Sequence, residues 1–274
     1  MQRPFNRNLK RFQPKLFGNK GASFISEYQD IYDAFTTKPN AAVASAQNTM
    51  VKSLVDLGVW ALTDIFWLMG GHTNDNGESV LNWVNPGTFD GVVVNSPTFT
   101  ALEGFTGDGL TTRIMTNYIP SINGINYKLN SASIFVYARK DTGTDLKALC
   151  GGDTIPASQI ITGSTFYSDI NNANASIANT NVNTKGFLGA SRTASNLIES
   201  YNNATKYTDV DVSTGVQNDE LWVLARRGAG TGQFFTDNQI SMFFVGGGLS
   251  EVQVTGFRAA FKAYMDSNGK GVIP

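Results

Sequence analysis

The chain has 274 residues, 41% of them hydrophobic, and a formal net charge of −1 at pH 7. Charged residues make up only 16%, below the usual quarter or so, and uncharged polar residues replace them: there are 26 Asn beside 28 Gly. This excludes a coiled coil, which needs Glu, Lys and Leu density, and a charge-driven disordered chain, and it points to short strands joined by polar turns.

The first twenty residues hold Arg3, Arg7, Lys10, Arg11, Lys15 and Lys20 and no acid, so the rest of the chain carries 15 basic against 22 acidic side chains. Phe5, Leu9, Phe12, Leu16 and Phe17 are interleaved with these charges. A purely electrostatic tail does not need them, so residues 1–24 are expected to form an extended arm that docks on a protein partner. Its anchors are Arg3, Phe5, Arg7, Leu9, Lys10, Arg11, Phe12, Lys15 and Phe17, in preference to a floppy tail or a nucleic-acid contact. No apolar h-region follows the basic stretch, so no signal peptide is read and synthesis in the cytoplasm without secretion is expected.

Residues 25–80 read as a helical segment and a first strand. Tyr28 to Phe35 accounts for one or two turns. From Pro39, residues Val43, Ala46, Met50, Leu54 and Leu57 recur at three- and four-residue steps up to Gly58, which predicts an amphipathic helix. Val59 to Met69 is apolar on both faces and predicts a buried strand. The run to Gly71 is interrupted by Thr63 and Asp64 and is too short for a membrane span, so no membrane partner is expected.

Residues 81–249 alternate short apolar segments with turn clusters such as Asn85-Pro86-Gly87, Gly107-Asp108-Gly109 and Gly228 to Gly232. Candidate strands include Asp90–Asn95, Phe99–Leu102, Thr112–Asn117, Leu197–Tyr201 and Asp219–Arg226, with Ser133–Tyr137 and Leu221–Leu224 the clearest. The spacing predicts a two-sheet sandwich. Residues 250–274 form a second helix: Ser250 and Gln253 make a capping box, Val254, Phe257, Phe261 and Tyr264 make the apolar stripe, and Gly269 ends it.

Catalytic chemistry is sparse. One cysteine, Cys150, permits no disulfide within the chain and reads as a small buried hydrophobe. The single His72 is the one residue through which a His-dependent triad would have to pass. Its loop, His72 to Ser79, misplaces the carboxylates that a calcium loop requires, so no metal and no cofactor are expected. A retaining glycosidase needs two carboxylates about 5–5.5 Å apart. None of the six Glu has an acidic neighbour two or four positions on, and Asp209 with Asp211 reads as a solvated edge. Arg226-Arg227 ahead of Gly228 to Gly232 has the composition of an anion cradle, but a mobile hairpin tip is the better reading. Trp60, Trp67, Trp83 and Trp222 are mostly needed to fill a core, which leaves Tyr167, Tyr201 and Tyr207, in polar segments, as the candidate ligand-stacking residues.

Three stretches carry a resemblance: Leu81-Asn-Trp-Val-Asn-Pro-Gly-Thr-Phe-Asp90, Val94-Asn-Ser-Pro-Thr-Phe-Thr100 and Gly104-Phe-Thr-Gly-Asp-Gly109. With the Phe243 to Gln253 tail, the chain from about Asp30 to Asn268 resembles the concanavalin-A-like, laminin-G-type sandwich domains of tailed-phage virion proteins, including those of gut Bacteroidota phages. In that family these are structural turns, and Gly107-Asp108-Gly109 is expected to close a hairpin.

The expected fold is therefore mainly β: a two-sheet antiparallel jelly-roll (concanavalin-A-like) sandwich, two flanking amphipathic helices and an extended N-terminal arm. The expected function is that of a non-enzymatic virion structural protein (capsid decoration, head fibre or tail or neck appendage), homo-oligomeric in the particle and attached through its arm. Its partners would be capsid, portal, neck or tail proteins and a host surface glycan. The alternative is a carbohydrate-binding receptor-recognition protein or a cryptic polysaccharide hydrolase.

Overall fold

A computed structural model of the chain describes residues 24–141, 143–173, 178–180 and 184–273. The first elements in chain order are α1 (Ser26–Ala34), α2 (Ala41–Asp56), β1 (Thr63–Trp67), β2 (Val92–Val94), β3 (Thr98–Thr100), β4 (Gly104–Thr106), β5 (Arg113–Met115) and α3 (Pro120–Asn123). Next come β6 (Ala132–Ala138), β7 (Lys147–Gly152), β8 (Ala157–Thr162), β9 (Thr165–Asn172), β10 (Ala178–Thr180), β11 (Gly186–Ala194) and β12 (Leu197–Asn202). The last are β13 (Thr205–Asp209), β14 (Trp222–Val223), β15 (Arg226–Gly228), β16 (Thr231–Gln233), β17 (Gln239–Gly246) and α4 (Glu251–Ser267).

Two sheets result. The first runs β13-β12-β11-β6-β17, with β4 and β1 laid one after the other along the far edge of β17 and β3 outside β4. The second runs β10-β9-β8-β7-β14-β5-β2, with the β15–β16 hairpin joined to the end of β7. Among the described strands the pairing is antiparallel apart from one parallel bridge, Arg227 to Gly152.

Side-chain alternation builds three layers. In β6, Ile134, Val136 and Ala138 face one way and Phe135 and Tyr137 the other. Ile65 and Trp67 oppose Phe66 in β1, and Phe243 and Val245 oppose Met242 and Phe244 in β17. The first set packs against Ile114, Leu149, Ile160, Phe166, Ile170 and Val223 of the second sheet. The other set packs against Tyr28, Ile31, Met50, Leu54, Phe257 and Phe261 of α1, α2 and α4. The central strands of the first sheet, β1, β6 and β17, are thus buried on both faces, which is why they read as nearly unbroken apolar runs. At Gly189 in β11 a Cβ would lie 2.1 Å from the Phe135 ring; glycine there leaves room for Phe135 to stack on Phe187 at 5.0 Å.

The helix ends follow local chemistry. Asn40 caps α2 by accepting from the Val43 N–H at 3.0 Å, so the helix starts just after the proline that the sequence suggests, and Gly58 ends it at φ 70°. The capping box of Ser250 and Gln253 is present on α4. Helix α1 adds a third brace to the two expected.

Three expectations are corrected. Val59–Met69 is not a strand throughout, because Trp60–Leu62 is a 3₁₀ turn and only Thr63–Trp67 pairs with β17. Asp219–Arg226 is split into β14 and β15 where Leu224 turns at φ 69°. Gly107-Asp108-Gly109 does not close a hairpin: it carries the chain from β4 in the first sheet to β5 in the second.

Asp108 shapes that crossing. Its carboxylate accepts the N–H groups of Thr111 at 2.8 Å, Thr112 at 2.9 Å and Leu110 at 2.9 Å, together with the hydroxyls of both threonines. The Thr111 and Thr112 amides in particular hold its pKa well below the ordinary aspartate value. A carboxylate with a depressed folded pKa stabilises fully above its unfolded pKa, and that contribution is lost as pH falls toward the folded value. Asp108→Asn should therefore lower the urea midpoint near pH 7, and its deficit against the parent should shrink at about pH 3. An equal deficit at both pH values would mean that the charge does not hold this turn.

Candidate functional site

With the first sheet enclosed, the outward face of the second is the broad sheet surface that no described helix covers. Phe166 and Ile170 of β9, Ile160 of β8, Val223 of β14 and Ile114 of β5 point into the sandwich. Their neighbours Tyr167, Asp169, Gln159, Trp222 and Arg113 therefore point away from the sandwich interior, where Asp169, Gln159 and Trp222 are buried beneath neighbouring side chains and Tyr167 and Arg113 are half-buried. The β15–β16 hairpin adds Arg226, Arg227 and Gln233 beside them.

Most charges on this face are paired. Arg226 donates from Nη1 to Gln159 Oε1 at 2.8 Å and from Nε and Nη2 to Gln233 Oε1 at 3.1 and 2.9 Å. It also pairs with Asp153 at 2.9 Å and lies over the Phe234 ring at 4.4 Å. Burial pulls the Arg226 pKa down, opposed by the charges of Asp153 and Asp169, and burial pushes Asp153 up against the pull of Arg226. Arg227 pairs with Asp219, whose other oxygen accepts from the Thr154 hydroxyl at 2.8 Å. Asp169 accepts from Gln159 at 2.7 Å and Asn172 at 3.1 Å.

Arg113 and Trp222 are the exception. The Arg113 guanidinium sits 4.4 Å from the Trp222 ring centroid, with Arg227 at 5.9 Å. Among the described residues Arg113 has no carboxylate partner, and its Nε and the Trp222 Nε1 are buried without a hydrogen bond. The indole is only 4% exposed and lies beneath the two guanidiniums, so what this pair offers at the surface is the half-buried cation of Arg113. The carboxylates of the same face already accept bonds from Arg, Gln, Asn or Thr.

The three tyrosines proposed from the sequence do not meet. Tyr167 is half-buried on the outward face of the second sheet. Tyr201 is only 3% exposed, packed under the helices on the opposite side of the molecule, with its hydroxyl bonded to Glu199 at 3.1 Å. Tyr207 pairs across from Ser200, whose hydroxyl lies 2.5 Å from Ser168 of the other sheet, so Tyr207 sits at the rim of the sandwich interior. Tyr201 was read as exposed because its strand is rich in polar residues, but α4 covers that strand. The arm anchors Arg3, Phe5, Arg7, Leu9, Lys10, Arg11, Phe12, Lys15 and Phe17 lie outside the described residues.

Other sequence features are absorbed by structure. Cys150 is buried in the sandwich core, which pushes its thiol pKa up. In the His72 loop, Glu78 accepts the N–H groups of Asn76 at 2.8 Å and Thr37 at 3.0 Å, and a His72 ring nitrogen lies 2.6 Å from the Thr37 carbonyl. Asp209 is not a simply solvated edge carboxylate: it is half-buried, with one oxygen enclosed and without a partner, and burial followed by Asp211 raises its pKa. Among the described residues no group of three or more His, Cys, Asp or Glu could hold a metal ion, and no helix is long and apolar enough to cross a membrane. Arg113 had no signal in the sequence, because its partner Trp222 is more than a hundred positions away and is met only through the β5–β14 pairing.

No protein-family profile and no curated protein matches the chain. Among solved structures it is similar to the botulinum neurotoxin serotype D binding domain, with a TM-score of 0.51, 7% identity, and coverage of 73% of this chain and 52% of that one. It is similar to a Trypanosoma rangeli sialidase mutant displaying trans-sialidase activity, with a TM-score of 0.51, 9% identity, and coverage of 81% of this chain and 39% of that one. It is also similar to Trypanosoma rangeli sialidase in complex with 2,3-difluorosialic acid, with a TM-score of 0.51, 10% identity, and coverage of 84% of this chain and 40% of that one. The matches span about half of those chains or less. At such identities the likeness shows the fold alone, a two-sheet β-sandwich.

Proposed function

We propose that this chain is a non-enzymatic structural protein of a tailed-phage particle, held by residues 1–24 and displaying its sandwich outward as a capsid decoration, head fibre or tail or neck appendage. The observation that carries this is the asymmetry of the sandwich. Three helices close one sheet, while the other keeps a rigid outward face whose charges are mostly locked in mutual pairs. The residues of the phage-type motifs support the same reading, because they spend their side chains on the backbone. Asn82 bonds Phe66, Asp64 and Thr88, and Asp90 accepts from Asn82 and Gly87. The arm's partners are then capsid, portal, neck or tail proteins, with further copies of this chain alongside. Removing residues 1–20 should leave the melting temperature unchanged and abolish binding to particles that lack the protein. Truncated chain that binds as well as the full chain would place the attachment on the sandwich instead.

A second reading, carbohydrate recognition, is favoured by the Arg113–Trp222 pair and by the likeness to a toxin binding domain and to sialidases. A hydrolase is the less favoured form of it, since among the described residues of this face the carboxylates of Asp153, Asp169 and Asp219 all have partners. Incubation with host capsular and wall polysaccharides should release no reducing ends above buffer. Turnover that disappears in Asp153→Asn or Asp169→Asn would overturn the non-enzymatic reading.

A further inference from the structure

At one end of the sandwich a cavity of about 370 Å³ opens between the 3₁₀ turn Trp60–Leu62, the motif loop Leu81 to Asp90 and the turn after α3. That volume lies within the range of small-molecule sites, about 300–1,000 Å³. Its floor is a closed network. The Asn82 amide accepts from the Phe66 N–H at 3.1 Å and donates to the carbonyls of Asp64 at 3.1 Å and Thr88 at 3.0 Å. The Asp64 carboxylate accepts from the Tyr118 hydroxyl at 2.7 Å and from the N–H groups of Ile125, Asn126 and Tyr127 at 3.1, 2.8 and 3.0 Å. A floor saturated in this way is rigid and has little capacity left for a ligand.

The rim is the reverse. The Asn85 amide, the Thr88 hydroxyl and the Trp60 indole N–H line the cavity and make no hydrogen bond to another described side chain or backbone group. The Asn123 amide accepts from the Ile119 N–H at 2.8 Å, which leaves its NH₂ group to donate. Two aromatic rings are fixed beside these groups. Trp60 packs edge-on to Phe66 at 6.3 Å, and Phe89 packs edge-on to Tyr118 at 5.2 Å. Phe89 is held at φ 60°, with its carbonyl bonded to the Trp67 indole at 3.0 Å. Backbone strain of this kind persists only where the surroundings enforce it, and it clusters at ligand clamps. No Lys, Arg or His lines the cavity, and its one carboxylate, Asp64, already accepts four hydrogen bonds in the floor.

Uncharged donors and acceptors around two aromatic rings suit a ligand with apolar C–H faces and hydroxyl edges, and the buried carboxylate disfavours an anionic one. We propose that this end pocket binds a neutral pyranose, either a free monosaccharide or the terminal unit of a glycan. The proposal deepens the carbohydrate-recognition reading and is separate from the Arg113–Trp222 surface.

The test is calorimetric titration of the full chain with methyl glycosides of glucose, galactose, mannose and N-acetylglucosamine, and with sialyllactose and glucuronic acid as anionic probes. At least one neutral glycoside should bind and the anionic probes should not. Asn85→Ala and Thr88→Val change exposed side chains, so they should keep the parent melting temperature while weakening binding by about tenfold or more, which is about 1.4 kcal/mol. Neutral-sugar binding that survives both rim variants would overturn the pocket. Binding of anionic probes alone, lost in Arg113→Ala, would overturn it while keeping carbohydrate recognition on the sheet face. Binding of no probe would overturn this proposal and the carbohydrate reading together.

Discussion

Arg192→Leu should destabilise the chain by about 1–3 kcal/mol for each buried acceptor it leaves without a donor. Arg192 lies in β11 of the first sheet and is fully buried. Its guanidinium donates to the carbonyl of Ile170 in the second sheet at 2.9 Å, and to those of Ala194, Ser195 and Asp211 at 3.3, 3.1 and 2.8 Å. One side chain thus ties the two sheets together and satisfies the backbone of the rim turns. Leucine fills part of the space but withdraws a donor from the buried Ile170 carbonyl, at about 1–3 kcal/mol for a buried acceptor left unsatisfied, whereas the exposed Ser195 carbonyl keeps the Ser213 N–H at 2.8 Å. Arg192→Lys should recover only part of the loss, because a single ammonium cannot span the positions that the planar fork reaches. Urea denaturation of the three chains measures this. A leucine variant with the parent midpoint would mean that water replaces the guanidinium and that the two sheets do not depend on it.

Phe257→Ala should cost about 3–5 kcal/mol, as other buried Phe→Ala changes do. The ring is fully buried, with centroids 6.0 Å from Phe66, 6.3 Å from Phe135, 5.2 Å from Phe187 and 5.2 Å from Phe244. Those four residues belong to β1, β6, β11 and β17, so this one residue of α4 meets four strands of the first sheet. Native domains have about 5–15 kcal/mol in total, so the loss is a large share of it. A variant that melts like the parent would show α4 to be a loose appendage, and the first sheet would not be enclosed as described.

The elements that were legible in the sequence are those specified locally. The capping box at Ser250 and Gln253 and the stripe Val254, Phe257, Phe261 and Tyr264 mark α4 without reference to anything else. Ser133–Tyr137 reads as a strand because bulky residues fall on alternate positions, and the structure buries both of its faces. Failures occur where tertiary partners decide. Leu224 adopts a left-handed turn that no residue type announces, and it breaks what reads as one strand. Asp108 gathers three amides and redirects the chain between sheets, whereas the glycines around it suggest a hairpin. Tyr201 looks exposed because its strand is polar, yet α4 arrives from fifty positions downstream to cover it. The candidate site was hardest to see: Arg113, Trp222 and Arg227 come from β5, β14 and β15, and only the strand order brings them together.

The most direct test of the proposed role is a cryo-electron-microscopy reconstruction of tailed-phage particles assembled in cells that express this chain. The account predicts density for the sandwich on the outside of the particle, joined to a neighbouring virion protein through residues 1–24, with the outward face of the second sheet turned to solvent. Particles that lack the chain, or that hold it by the outward face of the second sheet with the arm free, would contradict it.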